Sequence, residues 1–235
     1  MPTLNVANYR RDYKGESITY VDNNQLKSVF VNPRNFPYDR KVSTAIVLGN
    51  GISRLTPEIK LILNQNNRRV AEGYKTTYAC NAAYRDTPAD YYIVKDRIFF
   101  SEMPTDIYNK IFVSNDVWVT YRDTNLIPHV YYMDSGSSAA YLAAFDGAKK
   151  VFLIGFDGSD TDTNTNVYGG SLGYDRNDFT HENHHFHLKE VCRVYNSTQF
   201  YRVRTPHSYD YSGELTAMSN YHELNVRQAI LEGDF

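Results

Sequence analysis

Several short clusters in this chain carry the residue types that bind or transform polar ligands. In Gly49-Asn50-Gly51-Ile52-Ser53, two glycines let the backbone approach a ligand and present amide N–H groups close to a helix start, which suits a phosphate or a nucleotide. Alone, the motif is equally a tight strand-to-helix turn. It has company: Asn81, Asp96, Ser135-Gly136-Ser137 and Gly155-Phe156-Asp157 each stand where an apolar run ends or a helix begins. His181-Glu182-Asn183-His184-His185-Phe186-His187 contains the zinc-protease pattern H-E-x-x-H as His181, Glu182 and His185. On a helix, that spacing would put two imidazoles on one face, with Glu182 to activate water. The preceding Asn177-Asp178-Phe179-Thr180 is polar, so the pattern falls at a first helical turn, and no third ligand stands at a familiar spacing. A solvated helix start with one histidine acting as a base fits better. Asp160-Thr161-Asp162 is a DxD and, with Asn164, imitates the opening of a calcium loop. Thr165 and Ser171 replace the glycine and glutamate such a loop requires, so it reads as a solvated acidic loop and no metal is expected. Arg54, Arg85 and Arg97 lie near the same edge, each suited to an anion or to a surface ion pair.

The elements that position these clusters follow from hydrophobic patterning. Thr44-Ala45-Ile46-Val47-Leu48 is a continuous apolar run, the mark of a strand covered on both faces of a parallel sheet. Thr56-Pro57 opens a helix containing Ile59, Leu61, Ile62 and Leu63. Thr76–Cys80 and Tyr91–Val94 read as further strands, and Val117–Thr120 as a fourth. The small-residue helix Ser138–Phe145, its glycine stop at Gly147 and the buried run Val151–Ile154 form one unit. A long polar loop follows to about Thr180, then the histidine-rich helix start, a strand at Gln199–Val203 and a last helix near Asn220–Leu231. Strands separated by helix-length segments imply βαβ crossovers. In an open sheet of that kind ligands bind at the C-terminal ends of the strands, the edge where Gly49-Asn50-Gly51, Asn81, Asp96, Ser135-Gly136-Ser137 and Gly155-Phe156-Asp157 fall, at strand ends or helix starts.

The chain has 235 residues, with 25 Lys+Arg against 27 Asp+Glu and 42% hydrophobic residues. That is enough for one sizeable core, and it excludes a disordered tail. A net charge of -2 offers no electrostatic reason for nucleic acid or an anionic membrane. The sequence contains neither a bilayer-length apolar run nor a secretory leader, and Cys80 and Cys192 are too few for a disulfide framework, so a cytoplasmic setting is expected. Residues 1–43 are polar and rich in Asn, Arg and Tyr, and read as an arm with one hairpin. Residues 44–235 read as the α/β domain. The 21 tyrosines suit interface or sugar-facing surface as readily as core.

Gly49-Asn50-Gly51-Ile52-Ser53, then Cys80-Asn81, Ser135-Gly136, Ile154-Gly155-Phe156-Asp157 and a histidine shortly before a helix form a series that resembles the bacterial sialyltransferases of glycosyltransferase family 42. Related chains occur in phages. The resemblance covers about residues 44–205. It implies a Rossmann-like variant of the GT-A nucleotide-binding sheet, mostly parallel and flanked by helices, a CMP-sialic acid donor, a glycan acceptor, inversion at the anomeric carbon and no metal or other cofactor. Position by position, it implies donor contacts for Gly49, Asn50, Gly51, Ser53, Asn81, Asp96, Ser135, Gly136 and Asp157, and a general base in His181, whose ordinary pKa of roughly 6.5 suits that role. The family has proline where Ile52 stands. It also has a phosphate-stabilising tyrosine where this chain has Gly158-Ser159; Tyr168 or Tyr174 supplies part of that role.

Other readings compete. The opening motif also resembles the 6-hydroxymethylpterin diphosphokinase-like proteins, and H-E-x-x-H leaves a zinc hydrolase as a minor alternative. An interaction or phage virion-associated protein that keeps the fold without turnover is the main rival. The polar arm suggests a homo-oligomer or larger assembly, in a host cytoplasm or a virion if the chain is phage-encoded.

Overall fold

The computed structural model describes residues 9–12, 15–22, 25–31, 42–68, 75–118, 120–127, 133–158, 166–174, 182–210, 213–233 and 235. Near the N-terminus, β1 (Tyr9–Asp12), β2 (Gly15–Asp22) and β3 (Gln25–Val31) pair antiparallel in sequence order. The Ser28–Val31 alternation lies in the third of them.

The main sheet has eight strands, all parallel. These are β4 (Thr44–Leu48), β5 (Thr76–Cys80), β6 (Tyr91–Ile93), β7 (Ile111–Val113), β8 (Asn125–Leu126), β9 (Lys150–Ile154), β10 (Gln199–Arg204) and β11 (Tyr221–Asn225). Their spatial order is β11-β10-β9-β4-β5-β6-β7-β8. This is the expected Rossmann-like α/β class, with helices on both faces. From β4 the chain moves outward strand by strand to β8, then returns to the other side of β4 and moves outward again. Because parallel crossovers keep one hand, segments linking strands in opposite directions must lie on opposite faces, and two apolar cores reflect this. On one face, Ile59 and Ile62 of α1 (Pro57–Arg68) pack with Ala82, Phe99, Phe100 and Trp118. On the other, α3 (Ser135–Phe145) packs with Leu188, Val191 and Cys192 of α4 (Glu182–Val194).

Helix α3 is apolar all round, as suits a helix pressed on the sheet at β4, β5, β6 and β9 and covered in turn by α4. Asp134 caps its start by accepting Ser137 N at 2.8 Å. Its end is a Schellman motif, with Gly147 N bonded to Ala144 O, Ala148 N to Ala143 O, and Gly147 at φ 96°.

Two expected elements differ. Val117–Thr120 is not a strand: Asn115–Trp118 forms the short helix α2. Ser114 ends the apolar run Ile111–Val113, its carbonyl accepts the Val117 and Trp118 amides, and its hydroxyl bonds Asp116 at 2.5 Å. That local capping outweighs the β propensity of Val and Trp. The strand places go to β7 and to the short β8, neither of which the sequence reading found. Near the C-terminus the expected helix at 220–231 is split. Tyr221–Asn225 pairs with β10 as the edge strand, and α5 (Val226–Gly233) starts only after Asn225. A reciprocal capping box sets that boundary, with Gln228 N bonded to Asn225 Oδ1 and Asn225 N to Gln228 Oε1, both at 2.9 Å.

Candidate functional site

Strand order reverses between β4 and β9, and in an open parallel sheet the crevice above such a switch point is where ligands bind. The turns leaving these two strands are locked together. Gly49 N donates to Ile154 O and Gly51 N to Gly155 O, both at 2.8 Å. A Cβ on Gly51 would lie 2.5 Å from the Gly155 carbonyl oxygen and collide with the Asp157 carboxylate, so the approach requires glycine there. Asp157 is buried. Its Oδ2 accepts the Ser53 amide at 2.7 Å and its Oδ1 accepts the Ser208 hydroxyl at 3.2 Å. Burial pushes its pKa up, against the opposing effect of Ser53, Ser208 and Arg202. Both oxygens are thus engaged within the chain, holding the 3-10 turn Ile52–Leu55 in place.

A strap of residues 166–174 lies against this turn. Asn166 forms a bridge with Gly51, Val167 N donates to Asn50 O at 2.8 Å, and Asn50 Nδ2 donates to the Tyr174 hydroxyl at 2.6 Å. Asn50 Oδ1 is buried and bonded to nothing among the described residues. The Tyr168 and Tyr174 rings stack with centroids 5.9 Å apart. The Tyr168 hydroxyl donates to Asp86 at 2.8 Å and accepts from Arg54, which is 2% exposed and paired with Asp86. Arg85 lies over the outer face of the same region, bonded to Glu102 and to Ser171 Oγ.

A second group stands at the ends of β5 and β6 and the start of α3. Asn81 takes the left-handed region at φ 45°, which asparagine tolerates better than most residues. Its Oδ1 accepts the Ser135 hydroxyl at 2.9 Å and its Nδ2 donates to Asp96 at 3.2 Å. Burial raises the Asp96 pKa, against Lys95 and Asn81. Gly136 brings the start of α3 against the Phe156 ring, which a Cβ there would meet at 3.2 Å. The Tyr174 hydroxyl also faces Asn81 and the Ala82 amide, which joins the two groups.

The structure therefore brings Gly49, Asn50, Gly51, Ser53, Asn81, Asp96, Ser135, Gly136, Asp157 and Tyr168 to one edge of the sheet. His181 lies outside the described residues, as does the Asp160-Thr161-Asp162 motif. Among the described residues no cluster of His, Cys, Asp and Glu is arranged to hold a metal. No helix described is long and apolar enough to cross a membrane.

Sequence reading missed Asp86, Asp134 and Arg202, and did not single out His187. Asp134 accepts the Ser137 amide and hydroxyl, and His187 Nδ1 lies 3.1 Å from its Oδ2. Burial alone would raise the Asp134 pKa, but His187, the nearby His184 and the Ser137 donors outweigh it and hold the carboxyl below the usual carboxylate range. A signal for His187 existed: positions 184, 187, 188, 191 and 192 follow one helical stripe, whose last three members are apolar and buried. Arg202 is wholly buried in β10 and donates to Phe156 O, Asp157 O, Tyr209 O and Glu223. It fixes the turn after β9 from beneath.

Among solved structures, the fold is similar to that of the monofunctional alpha-2,3-sialyltransferase Cst-I from Campylobacter jejuni. The TM-score is 0.48 and the identity 17%, over 70% of this chain and 76% of that one. It is also similar to the sialyltransferase CstII from Campylobacter jejuni in complex with the substrate analogue CMP-3FNeuAc, with TM-score 0.40 and 15% identity over 68% and 79%. No family model matches the chain. No curated protein matches it.

Proposed function

We propose that this chain is an inverting glycosyltransferase of the family 42 type, moving sialic acid or a related sugar from a CMP-activated donor to an acceptor hydroxyl. The observation that carries the reading is the switch-point crevice. There, the turn Gly49–Ser53, the Asn81-Asp96-Ser135 set and the strap 166–174 converge, and the buried Asn50 Oδ1 has no partner among the described residues. A buried amide oxygen without a donor is costly, and a ligand hydroxyl or amine would satisfy it. The ordered motif series falls at the same edge, which supports reading that edge as the nucleotide's.

In the reaction, the acceptor hydroxyl attacks the anomeric carbon as the bond to the CMP phosphate breaks, and a histidine from the run 181–187 takes the hydroxyl proton. The family resemblance points to His181 for that role. Incubating the purified chain with CMP-sialic acid and measuring free CMP by mass spectrometry tests the reading. CMP release that exceeds the uncatalysed rate and is not matched by UMP or UDP release from UDP-sugars supports it; no release above background sinks it.

One observation favours the rival scaffold reading. The Tyr168 hydroxyl proton is given to Asp86, and both Asp157 oxygens accept from inside the chain, so these groups hold the turn together and the Tyr168 hydroxyl proton is not free for a phosphate. On that reading nucleotide binds without turnover.

A further inference from the structure

Of Arg54, Arg85 and Arg97 near the C-terminal edge of the sheet, only Arg54 is buried, at 2% exposed. Arg85 is bonded to Glu102, Ser171 Oγ and Leu172 O, and Arg97 donates to Asp116 O. In Arg54 a single nitrogen carries the bonds. Its Nη2 donates to the two Asp86 oxygens at 2.7 and 2.8 Å and to the Tyr168 hydroxyl. Its Nε and Nη1 are buried and bonded to nothing among the described residues. Buried guanidinium donors left unmet are costly, and an anionic oxygen is the acceptor that suits them best. The guanidinium lies 5.0 Å from the Tyr168 ring centroid, and it is near enough to Cys80, the residue before Asn81, for its charge to oppose the effect of burial on that thiol. Arg54 thus faces both the strap and the end of β5, on the same turn as the unpartnered Asn50 Oδ1.

We propose that Arg54 receives the phosphate of the donor through Nε and Nη1 and stabilises it as the bond to the sugar breaks. This rests on the transfer reading above and assigns the phosphate to a residue that the family resemblance does not supply. The resemblance gives that part to a tyrosine, but the Tyr168 proton is already given to Asp86, whereas Arg54 keeps two nitrogens unengaged. The Tyr168 ring lies over the guanidinium, so phosphate entry displaces that side chain while Nη2 stays on Asp86. In the transfer step the acceptor oxygen supplies the electron pair of the new bond to the anomeric carbon, and its proton leaves to the base. The electron pair of the breaking C–O bond stays on the phosphate oxygen. Arg54 transfers no proton; its N–H groups bond the charge that develops there, which a guanidinium does more strongly than a neutral hydroxyl.

The test compares CMP with cytidine, which differ only in the phosphate, by calorimetric titration, together with release of CMP from CMP-sialic acid. Arg54→Lys keeps a cation for Asp86 but has no counterpart of Nε and Nη1. Arg54→Gln removes the charge as well. Both should weaken CMP binding by about 10- to 100-fold and leave cytidine binding as it is, which also reports that the variants fold. Both should lower kcat for CMP release by about 100-fold or more. Tyr168→Phe should weaken CMP binding less than Arg54→Lys does. Equal losses for CMP and cytidine would mean that Arg54 only shapes the turn, and unchanged CMP binding would mean that it does not meet the phosphate; either overturns the assignment. A larger loss in Tyr168→Phe than in Arg54→Lys returns the phosphate to the tyrosine and overturns it too. A wild-type chain that neither binds nor releases CMP ends the transfer reading and this assignment with it. Wild-type release that survives Arg54→Gln at full rate ends only the assignment.

Discussion

Single side chains in this molecule act mainly by holding the two turns at the switch point. Arg202 is the strongest case, because removing a wholly buried guanidinium takes a donor from each of three carbonyls and from Glu223, although Asp157 O keeps the Tyr209 amide and Glu223 keeps Arg204. Arg202→Met should cost about 3–5 kcal/mol in urea unfolding, as for breaking a buried pair; a loss near zero would mean that the turn does not depend on it. The sequence showed Arg202 only as a charged break in an apolar strand, since its partners lie 7 to 46 positions away in the chain. Asp134 predicts a pH effect. Its folded pKa is depressed, so the native state binds fewer protons than the unfolded chain, and the resulting stability is present above the ordinary carboxylate pKa and is lost as pH falls through the folded value. Stability measured from pH 6 down to pH 2 (both about) should therefore fall less steeply for Asp134→Asn than for wild type. Parallel curves would mean the carboxylate is not held by His187 and Ser137.

At the scale of elements, the strap 166–174 is what separates a bare strand-to-helix turn from a walled site. Tyr174→Phe removes the acceptor of Asn50 Nδ2 while keeping the ring contacts with Tyr168 and Phe99. The hydroxyl also faces Asn81 and the Ala82 amide, so its loss, at about 1–1.5 kcal/mol per bond, should weaken CMP binding roughly 10-fold or more and lower the melting temperature by about a few degrees. Equal affinity in the variant would detach the strap from the site. The strands β4, β5, β6, β9 and β10 were legible because runs such as Val151-Phe152-Leu153-Ile154 are buried on both faces and cannot be polar anywhere. The helix α3 was legible from its small residues and Gly147. Where the reading failed, at Val117–Thr120 and Asn220–Leu231, strand and helix patterns overlap over a few residues, and the deciding contacts were the Ser114 and Asn225 caps. The pairing of Asn81 with Ser135, 54 residues apart, has no local signature. Motif order placed both at one edge but could not join them.

For the molecule as a whole, the reversal of strand order beside β4 puts one core on each face of the sheet and leaves the polar residues at its C-terminal edge. Cys80 at the end of β5 and Cys192 in α4 report on that architecture from separate elements. Both are buried, and burial pushes each thiol up to about 12, so neither should react with a disulfide reagent in the native chain, and both should react in urea. Rapid native labelling of Cys192 would contradict the packing of α4 on α3. The central claim is that the switch-point crevice takes a CMP-linked donor. Calorimetric titration of the purified chain with CMP, CDP, UDP and a pterin, repeated on Asn50→Ala, tests it most directly. The account predicts saturable binding of CMP in preference to the others, abolished by Asn50→Ala. Absence of CMP binding, or equal binding by the variant, would contradict it.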